Sequence, residues 1–416
     1  VDGSDSRCWQ IGFSTTQPVP GVNPKNNVPL WIIANDQGYL PKPVLAARND
    51  IVMCPGERYE LLVNFGALPT NPNPNGPGRI AATNVWMTNR AAAPFPAGIT
   101  PQALGSPFAD LDTIMRFDLV PTAVAVKTCV GSAAATPFAG FTWPLAAPAP
   151  GAPPPAACIP NPAFVPADPI FLAQEAALRP PAGTTGLALQ NWVPPGAVVR
   201  MVYLNERLDG LTGFPLGMQL NGVPFEYKVT ETPKKGSVEV WKFINLTVDA
   251  HPMHPHLVKN LIVSRQTFSV PAYKKALCGS STCQPGTAPG GEMFLVPDVT
   301  QLLTNPTLVP AALTAVTSAS EDGAFKDAVI ARPGQVTTIV ARWDGGWLPI
   351  ATGAALPTAP GTAGAAPCTP NPAAGTVCGS AAGFSYEPVT SGPYVWHCHI
   401  NSHEDSEMMR TSLVVP

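Results

Sequence analysis

Val238-Glu239-Val240-Trp241-Lys242-Phe243-Ile244 reads as a β-strand. The run is short, rich in β-branched and aromatic residues, and has period two. Val238, Val240 and Lys242 share one face; Glu239, Trp241 and Phe243 share the other. Comparable runs recur between turn signals: Leu30-Trp31-Ile32-Ile33-Ala34 just after Pro29, Tyr59-Glu60-Leu61-Leu62-Val63-Asn64-Phe65, and Val336-Thr337-Thr338-Ile339-Val340-Ala341. No long helical period and no internal repeat accompanies them. Many short strands punctuated by Pro and Gly predict an all-β protein made of sandwiches or barrels.

At 416 residues the chain is too long for one compact core, so two domains are expected. Residues 131–167 are rich in Ala and Pro and suggest an extended linker; residues 353–383, rich in Ala, Gly, Thr and Pro, suggest a surface loop. The division that follows is a first sandwich over 1–125, a linker over 126–194 and a second sandwich over 195–416. The 52 prolines belong in loops, because Pro is excluded from helix interiors and central strands. A hydrophobic content of 45% excludes wholesale disorder. A net charge of -3, with only 12% charged residues, excludes the strong field that nucleic acid or an anionic membrane would need. No apolar run reaches the ~18 residues of a membrane span. The start, Val1-Asp2-Gly3-Ser4-Asp5-Ser6, is no signal peptide, which leads to the expectation that a preceding segment was removed or lies elsewhere.

Eight of the nine cysteines could form four disulfides. Cys278 with Cys283 and Cys368 with Cys378 would close short loops, Cys129 with Cys158 would staple a Pro-rich one, and Cys8 with Cys54 remains. Spacing alone leaves the connectivity open, and eight free thiols are the alternative. Disulfides would imply an oxidising location: extracellular, cell surface or periplasmic. Asn245-Leu246-Thr247 fits a glycosylation acceptor, although it sits at a strand end.

The ninth cysteine, Cys398, lies between two histidines. All six histidines fall in two clusters, His251-Pro252-Met253-His254-Pro255-His256 and His397-Cys398-His399-Ile400-Asn401-Ser402-His403. Side chains two apart on a strand point the same way. His254 and His256 can therefore share a target, as can His397 and His399, while Cys398 faces the opposite side and a different metal. Imidazole and thiolate suit copper; Cys398, His403, Met408 and His251 offer a blue-copper set with a weak axial Met. A zinc site is the competing reading, but no second Cys lies near either cluster, as structural zinc would want. Met253 and Met409 read as packing residues.

The two clusters resemble the third and fourth copper motifs of multicopper oxidases, His-Pro-x-His-x-His and His-Cys-His-x-x-x-His followed by Met. The bacterial spore-coat laccase, phenoxazinone synthase and bilirubin oxidase branch is the closest in pattern. His403-Glu404-Asp405-Ser406-Glu407-Met408-Met409-Arg410 and Thr230-Glu231-Thr232-Pro233-Lys234-Lys235-Gly236 look like that branch's third domain. Asp36-Gln37-Gly38-Tyr39-Leu40-Pro41-Lys42-Pro43-Val44 and Pro55-Gly56-Glu57-Arg58-Tyr59 look like its middle domain. The resemblance covers most of 1–120 and 215–416 and implies two cupredoxin-like Greek-key β-sandwiches. It implies type 1 copper on His251, Cys398, His403 and axial Met408, type 2 copper on His254, and type 3 copper on His256, His397 and His399. Glu404 looks like the family's proton-relaying carboxylate; an ordinary solvated Glu is the plainer reading. Glu407 stands where many members have Gly.

The family's remaining four histidines sit in its first domain and are absent here, since this chain has six in all. The resemblance therefore implies a second polypeptide or a cleaved N-terminal segment that completes the trinuclear site. The expected activity is laccase-like. A reducing substrate (a phenol, a pigment or a metal ion) gives single electrons through Cys398 to a site that reduces O2 to water. A single blue-copper electron carrier would leave His254, His256, His397 and His399 without a purpose. A copper nitrite reductase would not place His399 directly after Cys398. A structural surface protein is permitted by the Ala and Pro content without being favoured by it.

Overall fold

The computed structural model describes residues 7–65, 82–119, 178–208, 215–278, 323–343 and 391–416, with a few short stretches between them. Among these, β-strands dominate. The first group is β1 (Trp9–Ser14), β2 (Leu30–Asn35), β3 (Gly38–Leu45), β4 (Asp50–Met53), β5 (Tyr59–Val63), a two-residue ribbon of β6 (Asn71–Pro72) and β7 (Arg79–Ile80), β8 (Asn84–Asn89) and β9 (Thr113–Asp118). One sheet runs β4-β1-β8-β9 and a second β3-β2-β5. Phe13, Leu30, Ile32, Leu40, Ile51 and Val85 form the core of this group. Leu30 and Ile32 face inward because alternate residues of a strand share a side.

The second group comprises β10 (Val198–Leu208), β11 (Pro215–Leu220), β12 (Val238–Asn245), β13 (His251–Pro255), β14 (Asn260–Thr267), β15 (Val329–Ala331), β16 (Gln335–Arg342), β17 (Gly392–Cys398) and β18 (Met409–Val414). Its sheets run β11-β10-β12-β16-β14 and β15-β13-β17-β18. They pack face to face: Leu204, Trp241, Phe243 and Ile339 from the first meet Met253, Val329, Trp396 and Cys398 from the second. The Trp241 ring meets Trp396 edge-on at 5.2 Å between centroids, a favoured aromatic geometry. The two groups form two β-sandwiches, as expected from the sequence.

Strand β12 is buried on both faces, more completely than its alternation alone would indicate. Its outer face carries Val240, packed with Leu178, Leu261, Phe325 and Val340. Lys242 lies on that face too, where its Nζ donates to the Gln190 carbonyl at 3.1 Å and burial pulls the ammonium down to about 8. Gln190 ends a short helix, α1 (Gly186–Gln190). A nine-residue helix, α2 (Val270–Cys278), escaped the sequence reading. Its start follows capping rules: Ser269 Oγ accepts from the Ala272 N–H at 3.3 Å, and Pro271 sits in the first turn. The third helix, α3 (Asn401–Asp405), is a single turn within the second histidine cluster.

Cys8 and Cys54 form a disulfide. The other expected pairings, and the Pro/Ala-rich stretches at 131–167 and 353–383, lie outside the described residues. Asn245 corrects the glycosylation reading. It is fully buried, and its amide donates to the carbonyls of Asp249 at 2.7 Å and Ala331 at 2.9 Å, so no glycan can reach it in the folded chain. Among the described residues, no helix is long and apolar enough to cross a membrane.

Candidate metal centre

The two histidine clusters lie on adjacent strands. β13 and β17 pair antiparallel, with Met253 opposite Cys398 and His254 opposite His397. The strand pleat then sorts the ligand candidates by parity. His251 and Cys398 turn into the sandwich; His254, His256, His397 and His399 turn to the other side.

On the inner side, α3 folds His403 back onto Cys398. The His403 and Glu404 N–H groups both donate to the Ile400 carbonyl, at 2.9 and 2.8 Å. Cys398 Sγ lies 3.6 Å from His251 Nδ1 and 3.7 Å from His403 Nδ1, and the two nitrogens are 3.1 Å apart. A point amid these three atoms is about 2 Å from each, the usual range for metal–imidazole and metal–thiolate bonds. All three residues are buried. Met408 is buried beside them, its N–H donating to the His403 carbonyl and its carbonyl accepting from Cys398 N–H, each at 2.9 Å. The residue before it, Glu407, has φ +74°, in the left-handed region that favours glycine.

The tautomer of His251 follows from its partner. Thr247 Oγ1 lies 2.7 Å from His251 Nε2 and also 2.8 Å from Asn245 Oδ1 and 3.0 Å from the Asp249 carbonyl, both acceptors. The single hydroxyl proton goes to one of those acceptors, so the hydroxyl accepts from His251 Nε2–H. That leaves the Nδ1 lone pair aimed at Cys398 and His403. Burial, and the neighbouring His403, hold His251 far below the usual imidazole range, so it is neutral and able to ligate. Burial also pushes the Cys398 thiol up. A thiolate here needs a cation in the triangle of donors.

On the other side, the rings of His254, His256, His397 and His399 gather with centroids 4.8 to 5.5 Å apart. His254 Nδ1–H donates to the Asp327 carbonyl at 2.7 Å. His397 Nδ1 lies 3.0 Å from the Cys398 carbonyl and 3.1 Å from Glu404 Oε2, both acceptors, so it carries the proton. Its Nε2 lone pair therefore faces His256 Nε2 at 3.0 Å. Burial pulls His397 down to about 4, with the surrounding imidazoles adding to the effect. His399 Nδ1 is buried with no hydrogen-bond partner among the described residues. Converging lone pairs and an orphaned ring nitrogen fit metal ligation. Burial also raises the Glu404 carboxyl above its ordinary range.

The structure thus brings together His251, Cys398, His403 and Met408 in one group, and His254, His256, His397 and His399 in another, with Glu404 against His397. The sequence reading missed Thr247, Gly56 and Asp327. Thr247 was visible only as part of a glycosylation motif. Gly56, at φ +85°, brings its backbone so close to His399 that an added Cβ would stand 2.8 Å from the ring. Gly56 lay in a stretch that resembled the family's middle domain but was given no role, and no local signal marks Asp327.

The profile of the family described as Multicopper oxidase matches residues 379–416. Multicopper oxidase LPR1 homolog 3 of Oryza sativa subsp. japonica is 25% identical over 424 residues, covering 100% of this chain and 57% of the relative. The laccase of Bacillus subtilis (strain 168) is 28% identical over 191 residues, covering 46% of this chain and 23% of the laccase. Among solved structures, the McoA multicopper oxidase of Aquifex aeolicus aligns with a TM-score of 0.46 at 14% identity, over 99% of this chain and 53% of that one. The chain spans 43 to 57% of the length of the rice relatives it matches.

Proposed function

We propose that this chain, which belongs to the multicopper oxidase family, is the electron-entry half of a laccase-like oxidase. The carrying observation is the two-sided placement of His397-Cys398-His399, whose thiol joins one donor group and whose imidazoles join the other. In this reading His251, Cys398 and His403 would hold type 1 copper together with Met408. His254 holds type 2 copper, and His256, His397 and His399 hold part of the type 3 pair. Copper at these sites supplies one-electron oxidation of a reductant and four-electron reduction of O2 to water.

The chain's own residues set the conditions for that chemistry. Thr247 keeps His251 in its ligating tautomer. The buried sandwich around Cys398 keeps water from the thiolate, which favours a high potential. The Cys398 main chain and side chain connect the two donor groups through bonds, so no mobile carrier is needed. Glu404, whose Oε2 accepts from His397 Nδ1–H, would relay protons toward the site where O2 is reduced. Glu404→Gln is expected to slow O2 consumption while leaving reduction of type 1 copper unchanged, read by stopped-flow absorbance. Equal slowing of both would remove Glu404 from the relay.

The likeness to Bacillus laccases supports a laccase-like activity; the spore-coat laccase branch, a phenolic, pigment or metal-ion substrate, and an extracellular, cell-surface or periplasmic location complete the proposal. The missing four histidines would come from a companion chain or an N-terminal segment. The test is the copper-to-chain ratio of natively purified protein with any companion retained. About four coppers would bear out the oxidase. A ratio of about one would leave a single blue-copper electron carrier.

A further inference from the structure

His254 differs from its neighbours in what lies behind it. Its Nδ1–H donates to the carbonyl of Asp327 at 2.7 Å. That carbonyl belongs to the Asp327–Ala328 peptide, whose N–H donates in turn to Asp36 Oδ2 at 3.2 Å. Asp36 comes from the first sandwich, directly after β2, and its side chain is fully buried. Its position is fixed on every side. Oδ2 also accepts from Asp327 N–H at 3.3 Å and from Lys326 Nζ at 3.2 Å, and Oδ1 accepts from Arg58 N–H at 2.7 Å. The Arg58 guanidinium grips the Asp327 carboxylate through both terminal nitrogens, at 2.6 and 2.8 Å, and Gln37 Nε2 donates to the same carboxylate.

A carboxylate behind a peptide N–H polarises that peptide and adds negative charge to its carbonyl oxygen. The carbonyl then binds His254 Nδ1–H more strongly, which fixes the tautomer and raises the electron density at Nε2. Carboxylates often stand directly behind metal-ligating histidines; here one peptide unit is interposed, and the carboxylate comes from another domain.

We propose that Asp36 is a positioning residue for His254. Acting through the Asp327–Ala328 peptide, it holds the tautomer that ligates through Nε2 and strengthens His254 as a metal ligand. The inference rests on the reading of His254 as a copper ligand. It also gives the first sandwich, which contributes no ligand of its own, a direct part in the metal site. Glu57 is a built-in control. It is as deeply buried as Asp36 and pairs with the same Lys326 at 3.1 Å, but it accepts from Cys54 N–H rather than from the 327–328 peptide.

The test uses natively purified, copper-loaded protein carrying Asp36→Asn or Glu57→Gln. Asp36→Asn is expected to keep the visible absorption of the Cys398 site while copper at His254, followed by electron paramagnetic resonance, is lost to a chelator about 10–100-fold more readily. Glu57→Gln is expected to retain both. In the metal-free protein, the His254 Nδ1 proton should exchange with solvent several-fold faster in Asp36→Asn than in wild type. Unchanged exchange in Asp36→Asn, or equal copper loss at both sites, overturns the inference. If Asp36→Asn does not fold, wild-type exchange decides: Ala328 N–H and His254 Nδ1–H protected and released together support the link, and an Ala328 amide that exchanges as fast as a surface amide overturns it. If exchange behaves as expected but no copper binds at His254, the oxidase reading fails and the Asp36–His254 link stands.

Discussion

The tightest constraint on the site at the scale of a residue is Gly56. It needs glycine twice, for its φ of +85° and for the 2.8 Å that separates a notional Cβ from the His399 ring. Gly56→Ala is expected to destabilise the chain by about 1–2 kcal/mol from backbone conformation alone. It should also displace His399 and lower copper occupancy on the outer side, while the visible absorption of the Cys398 site persists. Retained copper on both sides would show that the ring relaxes without cost. Thr247 poses the complementary case. Thr247→Val keeps the shape and removes the acceptor for His251 Nε2–H. It should cost about 1–3 kcal/mol through a buried unpaired donor, and shift the absorption maximum of the type 1 copper. An unchanged spectrum would mean that packing alone orients His251. Neither residue stood out in the sequence as functional. Gly56 is one glycine among 36, and Thr247 lay within a motif that suggested a glycan.

The short elements explain why the second motif has its spacing. Strand β17 delivers Cys398 into the sandwich, and the single turn of α3 returns His403 to within 3.7 Å of its sulfur. The chain must then reverse at once to begin β18, and Glu407 makes that reversal at φ +74°. A left-handed Glu costs about 1 kcal/mol, and glycine there adds a similar loss of unfolded-chain entropy. Glu407→Gly is therefore expected to be close to neutral in thermal unfolding. Glu407→Val should lower the midpoint and perturb the type 1 spectrum, because a β-branched residue resists positive φ and Met408 follows directly. Equal midpoints for Gly and Val would show that the left-handed turn is not retained in solution. A Gly at this position would thus have a conformational reason.

Across the whole molecule, buried ionisable groups set the response to pH. Burial raises Glu57 and Glu206 to about 7, and the facing Lys326 only partly opposes it at Glu57. A raised carboxyl is protonated in the folded chain before it is in the unfolded one. The stability it contributes is full below about 4.5 and is lost as pH rises toward 7. Burial lowers Lys242 and Lys259 to about 8. Between about 8 and 10.5 the unfolded chain binds more protons at these lysines, so stability recovers as pH rises. The depressed His251 and His397 act in the opposite sense over the acid range, so the carboxyl contribution is read by difference: in denaturant unfolding, Glu57→Gln should gain stability relative to wild type as pH rises from about 4.5 to 7. A difference between the two proteins that stays constant over that range would contradict the burial of this carboxyl.

How much of this could be read beforehand depended on the range of the interaction. The strands at 30, 59, 238 and 336 were legible because alternation and β-branching are local, and the sorting of the candidate side chains to two sides because parity along a strand follows from the pleat. Helix α2 was missed because nine residues with a short apolar face give a weak period. The sequence by itself determined the all-β class, the sorting of Cys398 from its flanking histidines, and a donor set suited to copper. Tertiary structure alone decided that β13 lies beside β17, that Thr247 and the Asp327 carbonyl lie against His251 and His254, and that Asp36, Gly56 and Arg58 of one sandwich reach residues at the candidate metal centre of the other. The hydrogen-bonded partners among them lie up to 292 residues apart. Contacts between such remote segments depend on how two sheets and two domains pack, and that leaves no periodicity or motif in the chain itself.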